Sequence, residues 1–217
     1  MILELKNVSK IFFKRDTPKE ALNKINLNIK APSSNLILGP SGAGKSTLIS
    51  LISLLSQPTY GEIRINGVYT SALSKKESSQ LRRQEIGIIQ QRDNLFKFLN
   101  IEENVRVPQI SGEKTKSGDL LRKIGIKEID KCPGELSLLN QQIVALARAL
   151  INNPSILLAD EPTGELNSHE TDEYMDILMY MTSESAVLVV SNNYRLKEYF
   201  DNIYYLNEGN LNNSSEY

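Results

Sequence analysis

Leu36-Ile37-Leu38-Gly39-Pro40-Ser41-Gly42-Ala43-Gly44-Lys45-Ser46-Thr47 places a short apolar run directly before G-x-x-x-x-G-K-[ST], and the apolar stretch Leu48 to Leu55 follows it. Strand, glycine loop and helix in that order are the context phosphate binding requires. Gly42 and Gly44 permit a backbone path that a Cβ would obstruct, so successive N–H groups can surround a phosphate at a helix N-terminus. Lys45 would neutralise the charge of β- and γ-phosphates, and the Ser46 hydroxyl would ligate Mg²⁺. A glycine-rich turn that binds nothing is the alternative, and the register of all three parts opposes it.

Outward from this loop, strand-like runs alternate with helical stretches, which predicts an α/β fold with a mostly parallel sheet behind an N-terminal antiparallel β part. The strands expected are Ile2 to Val8, Ile25 to Ile29, Leu36 to Leu38, Glu62 to Ile65 before an Asn66-Gly67 turn, Ile86 to Ile89, Ile156 to Ala159, Val187 to Val190 and Ile203 to Leu206. Helices are expected after Lys45, over Ser74 to Gln84 behind a Ser-x-x-Glu capping box, over Ser137 to Asn152 and over Ser168 to Met181. Between Asn104 and Glu135 strand runs vanish, and Gly112, Ser117 and Gly118 punctuate weak helical segments such as Leu120 to Ile124. One domain over 1–217 with a small helical insert, approximately 92–153, is expected, and a turn at Glu208-Gly209.

Composition narrows the function classes. Lys and Arg number 25 against 26 Asp and Glu, so no global basic field draws the chain to nucleic acid. The single Cys132 excludes an internal disulfide scaffold. No run approaches the roughly 18–20 apolar residues of a membrane helix, and the charges in Met1 to Lys6 stand where a signal peptide carries its apolar region. A cytoplasmic chain is the expectation.

A second chemical element lies at Ile156-Leu157-Leu158-Ala159-Asp160-Glu161, an apolar run ending in two carboxylates. A buried parallel strand would deliver them to the sheet edge where phosphate sites form. There Asp160 would hold Mg²⁺ through water and Glu161 would polarise the attacking water. The loop alone leaves kinases, GTPases and ATPases open. A GTPase needs Asn-Lys-x-Asp downstream, whereas the nearest string, Asn23-Lys24-Ile25-Asn26, precedes the loop and lacks the Asp. A small-molecule kinase usually brings an Arg-rich lid, and the insert is only modestly basic.

Over essentially its whole length the chain resembles the ATP-binding subunits of ABC transporters. Asn7 to Phe12 resembles the first strand with its adenine-stacking aromatic, which falls on Phe12. Pro58 to Gly67 resembles the antiparallel hairpin, and Ile86 to Gln91 the strand leading to the glutamine that touches Mg²⁺ and senses the membrane partner, here Gln91. Leu136-Ser137 with Gln141, Gln142 and Ala145 to Leu150 resembles the signature helix. Leu81-Arg82-Arg83 before Ile86-Gly87 looks most like the macrolide-exporter, lipoprotein-release and cell-division (MacB/LolD/FtsE) branch. The resemblance implies ATP and Mg²⁺ as ligands, a second ATP-binding subunit in a homo- or heterodimer, an integral membrane permease as partner, no nucleic acid, and a place on the inner face of the cell membrane.

Three departures fall on the family's catalytic positions. Leu-Ser-Gly-Gly-Gln reads Leu136-Ser137-Leu138-Leu139-Asn140, so Ser137 survives but two Leu side chains stand where glycine N–H groups approach the partner's ATP. Ser137 can still cap a helix, with Leu138 and Leu139 packing against the insert. Ser191-Asn192-Asn193 replaces Thr-His-Asp; Asn192 can donate to a γ-phosphate, yet it is shorter than His and carries no charge. Asn167 replaces an aspartate, and the one histidine, His169, reads as surface. Lys45, Ser46, Gln91, Asp160 and Glu161 are intact. The pattern predicts a subunit that binds Mg-ATP and hydrolyses it slowly, with Glu161, Asn192 and Gln91 as its catalytic set. The rivals are a non-transporting regulatory subunit that gates a membrane partner, a soluble ATPase acting on nucleic acid or ribosomes, and a vestigial site.

Overall fold

The computed structural model describes residues 1–14, 17–91, 95–110 and 115–213. Their elements in chain order are β1 (Leu3–Lys14), β2 (Thr17–Ile29), β3 (Ser33–Leu38), α1 (Lys45–Ile52), β4 (Tyr60–Ile65), β5 (Val68–Tyr69), α2 (Lys75–Glu85), β6 (Ile86–Ile89), α3 (Ile101–Arg106), α4 (Thr115–Lys123), α5 (Leu138–Leu150), β7 (Ile156–Asp160), α6 (Ser168–Met181), β8 (Ala186–Ser191), β9 (Asn202–Asn207) and β10 (Asn210–Asn213). An antiparallel sheet runs β2-β1-β4-β5, and a second sheet runs β10-β9-β3-β8-β7-β6. In the second sheet every pairing is parallel except β9 with β10. This is the α/β architecture expected from the alternation of strand and helix patterns.

The central strands are apolar on both faces because both faces are covered. Along β7, Leu157 and Ala159 enter the core beneath α3 to α6, while Ile156 and Leu158 enter the core shared with α1 and the antiparallel sheet. Strand β8 divides in the same way, with Val187 and Val189 on one side and Leu188 and Val190 on the other. All of these side chains are buried. The strands are thereby held in one register, so the residues just past their C-terminal ends fall at one edge of the sheet.

Local rules account for most boundaries. Ser74 caps α2 by accepting from the Glu77 N–H, and the Glu77 carboxylate accepts from the Ser74 N–H in return, the expected capping box. Asn66 and Gly67 both adopt positive φ, which closes β4 onto β5 with the twist a two-residue hairpin needs. Helix α6 begins and ends where expected, and Ser137 caps α5 by accepting from the Asn140 N–H.

Several expectations need correcting. Strand β1 continues six residues past Val8, and β2 begins at Thr17 rather than Ile25. The added ribbon pairs Phe12 with Lys19 beyond register shifts that end at Ile11 and is largely exposed, so it lacks the apolar alternation by which strands are read. Helix α3 and strand β10 were not anticipated: α3 is six residues long, and β10 is Asn-Leu-Asn-Asn. Leu139 packs into the core at 8 % exposure, but Leu138 stands 49 % exposed and is not part of that core. The expectation for Gly112, and the start of the helical insert at 92, lie outside the described residues.

Candidate functional site

The phosphate loop leaves β3 at Leu38 and enters α1 through Gly44, whose φ of 110° only glycine adopts without strain. A Cβ on Gly44 would lie 2.5 Å from the Ala21 carbonyl oxygen, so close packing on β2 also requires glycine. No side chain caps α1 and its first turn holds no acid, which leaves the helix N-terminal N–H groups turned to the loop without a competing carboxylate.

Lys45 opens α1 and folds back into the loop. Its Nζ donates to the carbonyls of Gly39 at 2.8 Å and Pro40 at 3.1 Å, and lies 3.3 Å from Glu161 Oε1. The two ionic side chains are 7 % and 10 % exposed, so the pair is poorly screened. Glu161 follows β7 with φ 48°, an uncommon value for a residue with a side chain. Its N–H donates to Val190 O at 2.9 Å. Its second carboxylate oxygen accepts from the Ser191 hydroxyl at 2.8 Å and from the Asn192 N–H at 3.1 Å.

Asp160, the last residue of β7, is buried and leaves Oδ1 without a hydrogen-bond partner. Burial pushes its carboxyl above the usual carboxylate range. The Ser46 hydroxyl, hydrogen-bonded to it, and the Lys45 charge oppose that shift, while Glu161 adds to it. A buried carboxylate oxygen with no donor, beside a hydroxyl at the mouth of a phosphate loop, is a donor set suited to a hard cation that keeps most of its water. No group of three or more His, Cys, Asp or Glu gathers elsewhere among the described residues to hold a metal.

Phe12, Ser41, Gly42, Gly44, Lys45, Ser46, Thr47, Gln91, Glu161 and Asn192 line a cavity of about 540 Å³, and Asp160 lies behind its wall in contact with Ser46. Gly39 and Pro40 contribute their carbonyls to Lys45, and Ala43, within the loop, is buried. Phe12 is 47 % exposed at the far wall, with Lys10 Nζ 5.2 Å from its ring centre. Ser137 is not in the wall: its hydroxyl is taken up as the cap of α5. His169 is exposed in the first turn of α6, and Asn167 caps that helix by accepting from the Glu170 N–H.

The sequence gives no sign that Ser191, or Lys19, Glu20 and Ala21 on β2, or the expected Glu208-Gly209 turn between β9 and β10, border or brace the cavity. The last two carry a local signal, since Glu-Gly after an apolar strand marks a tight turn; nothing local says that the turn meets the phosphate loop.

Residues 22–164 match the family model described as ABC transporter. An ABC transporter ATP-binding protein of Methanocaldococcus jannaschii, MJ1508, is 38% identical over 97% of this chain and 97% of its own length. The lipoprotein-releasing system ATP-binding protein LolD of Rickettsia bellii is 39% identical over 98% of each. The ATP-binding cassette MJ0796, solved as a dimer bound to ADP and Pi in a post-hydrolysis state, superposes with a TM-score of 0.88 at 34% identity over 98% of both chains. A phosphate loop and a carboxylate-tipped strand meeting at one sheet edge, with likeness at this level over the full length, leave one assignment: the chain belongs to the family of ABC transporter ATP-binding proteins.

Proposed function

We propose that the chain is the ATP-binding subunit of an ABC transporter, that it closes with a second such subunit on Mg-ATP, and that it hydrolyses slowly while energising or gating a separate membrane permease. The observation that carries the reading is the convergence on one cavity of Phe12, Lys45, Ser46, Gln91, Glu161 and Asn192, drawn from separate segments of the chain. Among the described residues no helix is long and apolar enough to cross a membrane, which is consistent with a subunit peripheral to its permease on the inner membrane face.

Each residue has a physical task in that reading. The α1 N-terminal N–H groups and the loop backbone hold phosphate oxygens. Lys45 exchanges its carbonyl and Glu161 contacts for phosphate charge. Ser46, Asp160 and Gln91 hold Mg²⁺, whose positive charge, when bound, offsets the phosphate charge. Phe12 stacks on the base, and Glu161 orients water and accepts its proton once freed from Lys45.

Slow hydrolysis follows from the substituted positions. Asn192 is a neutral donor where an imidazole is expected, and loss of a preorganised donor typically costs about 10²–10³-fold in rate. Leu138, exposed at the head of α5, sets apolar bulk where the resemblance puts a glycine facing the partner's nucleotide.

A second groove, of about 500 Å³, supports a permease partner. It is lined by Arg82, Arg83, Gln90, Phe96, Arg148 and Asn152, among others. Gln90 lines the groove and the adjoining Gln91 lines the nucleotide cavity, so a segment seated in the first can move the second. Calorimetric titration with ATP, with and without Mg²⁺, tests the core of the reading. Binding tightened by Mg²⁺ and lost in Lys45→Ala is expected, and absence of binding to the wild-type chain contradicts it.

A further inference from the structure

The turn between β9 and β10 lies far in sequence from both the phosphate loop and the N-terminal ribbon, yet it is bonded to each. The Gly209 N–H donates to Ala43 O, inside the phosphate loop, at 3.1 Å. The Gly209 carbonyl accepts from the Asn23 N–H, on β2, at 2.8 Å. Beside these backbone bonds, Asn23 Nδ2 donates to Asn210 Oδ1 at 3.2 Å. Glu208 and Gly209 both adopt positive φ and both line the nucleotide cavity.

Space at this junction is used up. A Cβ on Gly209 would lie 2.9 Å from Ala21 O and 3.2 Å from Leu22 Cα, and the same Ala21 oxygen limits Gly44 from the other side. Ala21 to Asn23 lies two residues beyond Lys19, the cross-strand neighbour of Phe12. One residue therefore joins the loop that meets phosphates to the ribbon that carries the aromatic ring, and β1 reaches that ring only past register shifts between Leu5 and Ile11.

We infer that Gly209 is a positioning residue that sets the distance between the Phe12 ring and the phosphate loop, so that a nucleoside triphosphate engages both ends of the cavity at once. The inference rests on the proposed stacking of a base on Phe12. It assigns the turn no contact with substrate; the turn acts through Phe12. Without it, phosphates bind as before and the base loses its contact.

The test is calorimetric titration with two probes in the presence of Mg²⁺, ATP and inorganic tripolyphosphate. Wild type, Phe12→Ala, Gly209→Ala and the double variant are compared. Phe12→Ala and Gly209→Ala are each expected to weaken ATP by about tenfold, within what base stacking on an aromatic ring supplies, and to leave tripolyphosphate within about twofold. The double variant is expected to be no worse than Phe12→Ala alone, because both changes remove the same interaction. If Gly209→Ala does not fold, Asn23→Pro deletes the N–H donated to Gly209 at an edge strand that tolerates proline, and the same pattern is expected. Equal loss of both probes, or additive losses in the double variant, overturns the inference. An effect of Phe12→Ala with none from Gly209→Ala or Asn23→Pro overturns it while leaving the stacking in place. No effect of Phe12→Ala overturns the stacking and the inference together.

Discussion

Replacing Lys45 with Met perturbs the site where charge is most concentrated, and it has a stability consequence separate from nucleotide binding. Met keeps most of the aliphatic stem but removes the ammonium that Glu161 Oε1 faces at 3.3 Å and that Gly39 O and Pro40 O accept from. Removing one partner of a buried pair costs about 3–5 kcal/mol when the other charge is left alone. Glu161 is not left alone, since the Ser191 hydroxyl and the Asn192 N–H still donate to its other oxygen. The net cost is therefore about 2–3 kcal/mol, which for a chain of this size lowers Tm by roughly 4–12 °C. Adding Glu161→Gln removes the stranded charge and should restore about half of the loss. Thermal melts of wild type, both single variants and the double variant, without nucleotide, check this. Lys45→Met melting with wild type, or no recovery in the double variant, would refute the view that the pair is closed in the free protein.

Other outcomes follow from the same geometry. Asp160→Asn should raise the Tm of the nucleotide-free protein near neutral pH, because it relieves a buried charge with an unpartnered oxygen. The Asp160 pKa is raised on folding, so its cost is absent below the unfolded pKa and develops as pH rises through the folded value; the Tm gain should shrink as pH falls through that window, and a gain independent of pH would contradict the assignment. Leu138→Gly should cost only about 1 kcal/mol, the helix-propensity difference at an exposed position, whereas Leu139→Gly should cost about 3–5 kcal/mol by opening a cavity in the core. Denaturant melts that rank them otherwise would show that the second leucine is not structural. Asn192→His should raise ATP turnover severalfold with little change in ATP affinity, and unchanged turnover in steady-state assays would remove Asn192 from the account of slow hydrolysis.

The parts of this site that were legible in sequence are those in which chemistry and backbone are written in one contiguous stretch. Gly39 to Thr47 carries its own turn geometry, and Ile156 to Glu161 carries a strand and the carboxylates at its tip. Leu138 and Leu139 looked alike in sequence, because a helix pattern near an N-terminus does not say which of two adjacent leucines faces inward; only packing beneath α5 separates them. The β1–β2 ribbon was hidden because Ile11, Phe12 and Phe13 run together without alternating with polar residues and Thr17 to Glu20 is exposed, so cross-strand pairing rather than apolar alternation holds it in place. Helix α3 was missed although Asn100 and Glu103 form a capping box, a signal that six residues of helix make easy to pass over. Ser191 and Gly209 act through partners 30 and 166 positions away, Glu161 and Ala43, and no local pattern encodes such contacts.

Steady-state ATP turnover measured beside an ATP-binding titration, on the wild-type chain and Glu161→Gln, separates a slow nucleotide switch from an ordinary transport ATPase. Slow hydrolysis at an intact nucleotide site predicts binding in both proteins, with turnover in the wild type far below that of a family member bearing intact glycines and histidine, and lower still in Glu161→Gln. Brisk wild-type turnover abolished by Glu161→Gln would contradict it and make this an ordinary transport ATPase that tolerates Leu138, Leu139 and Asn192.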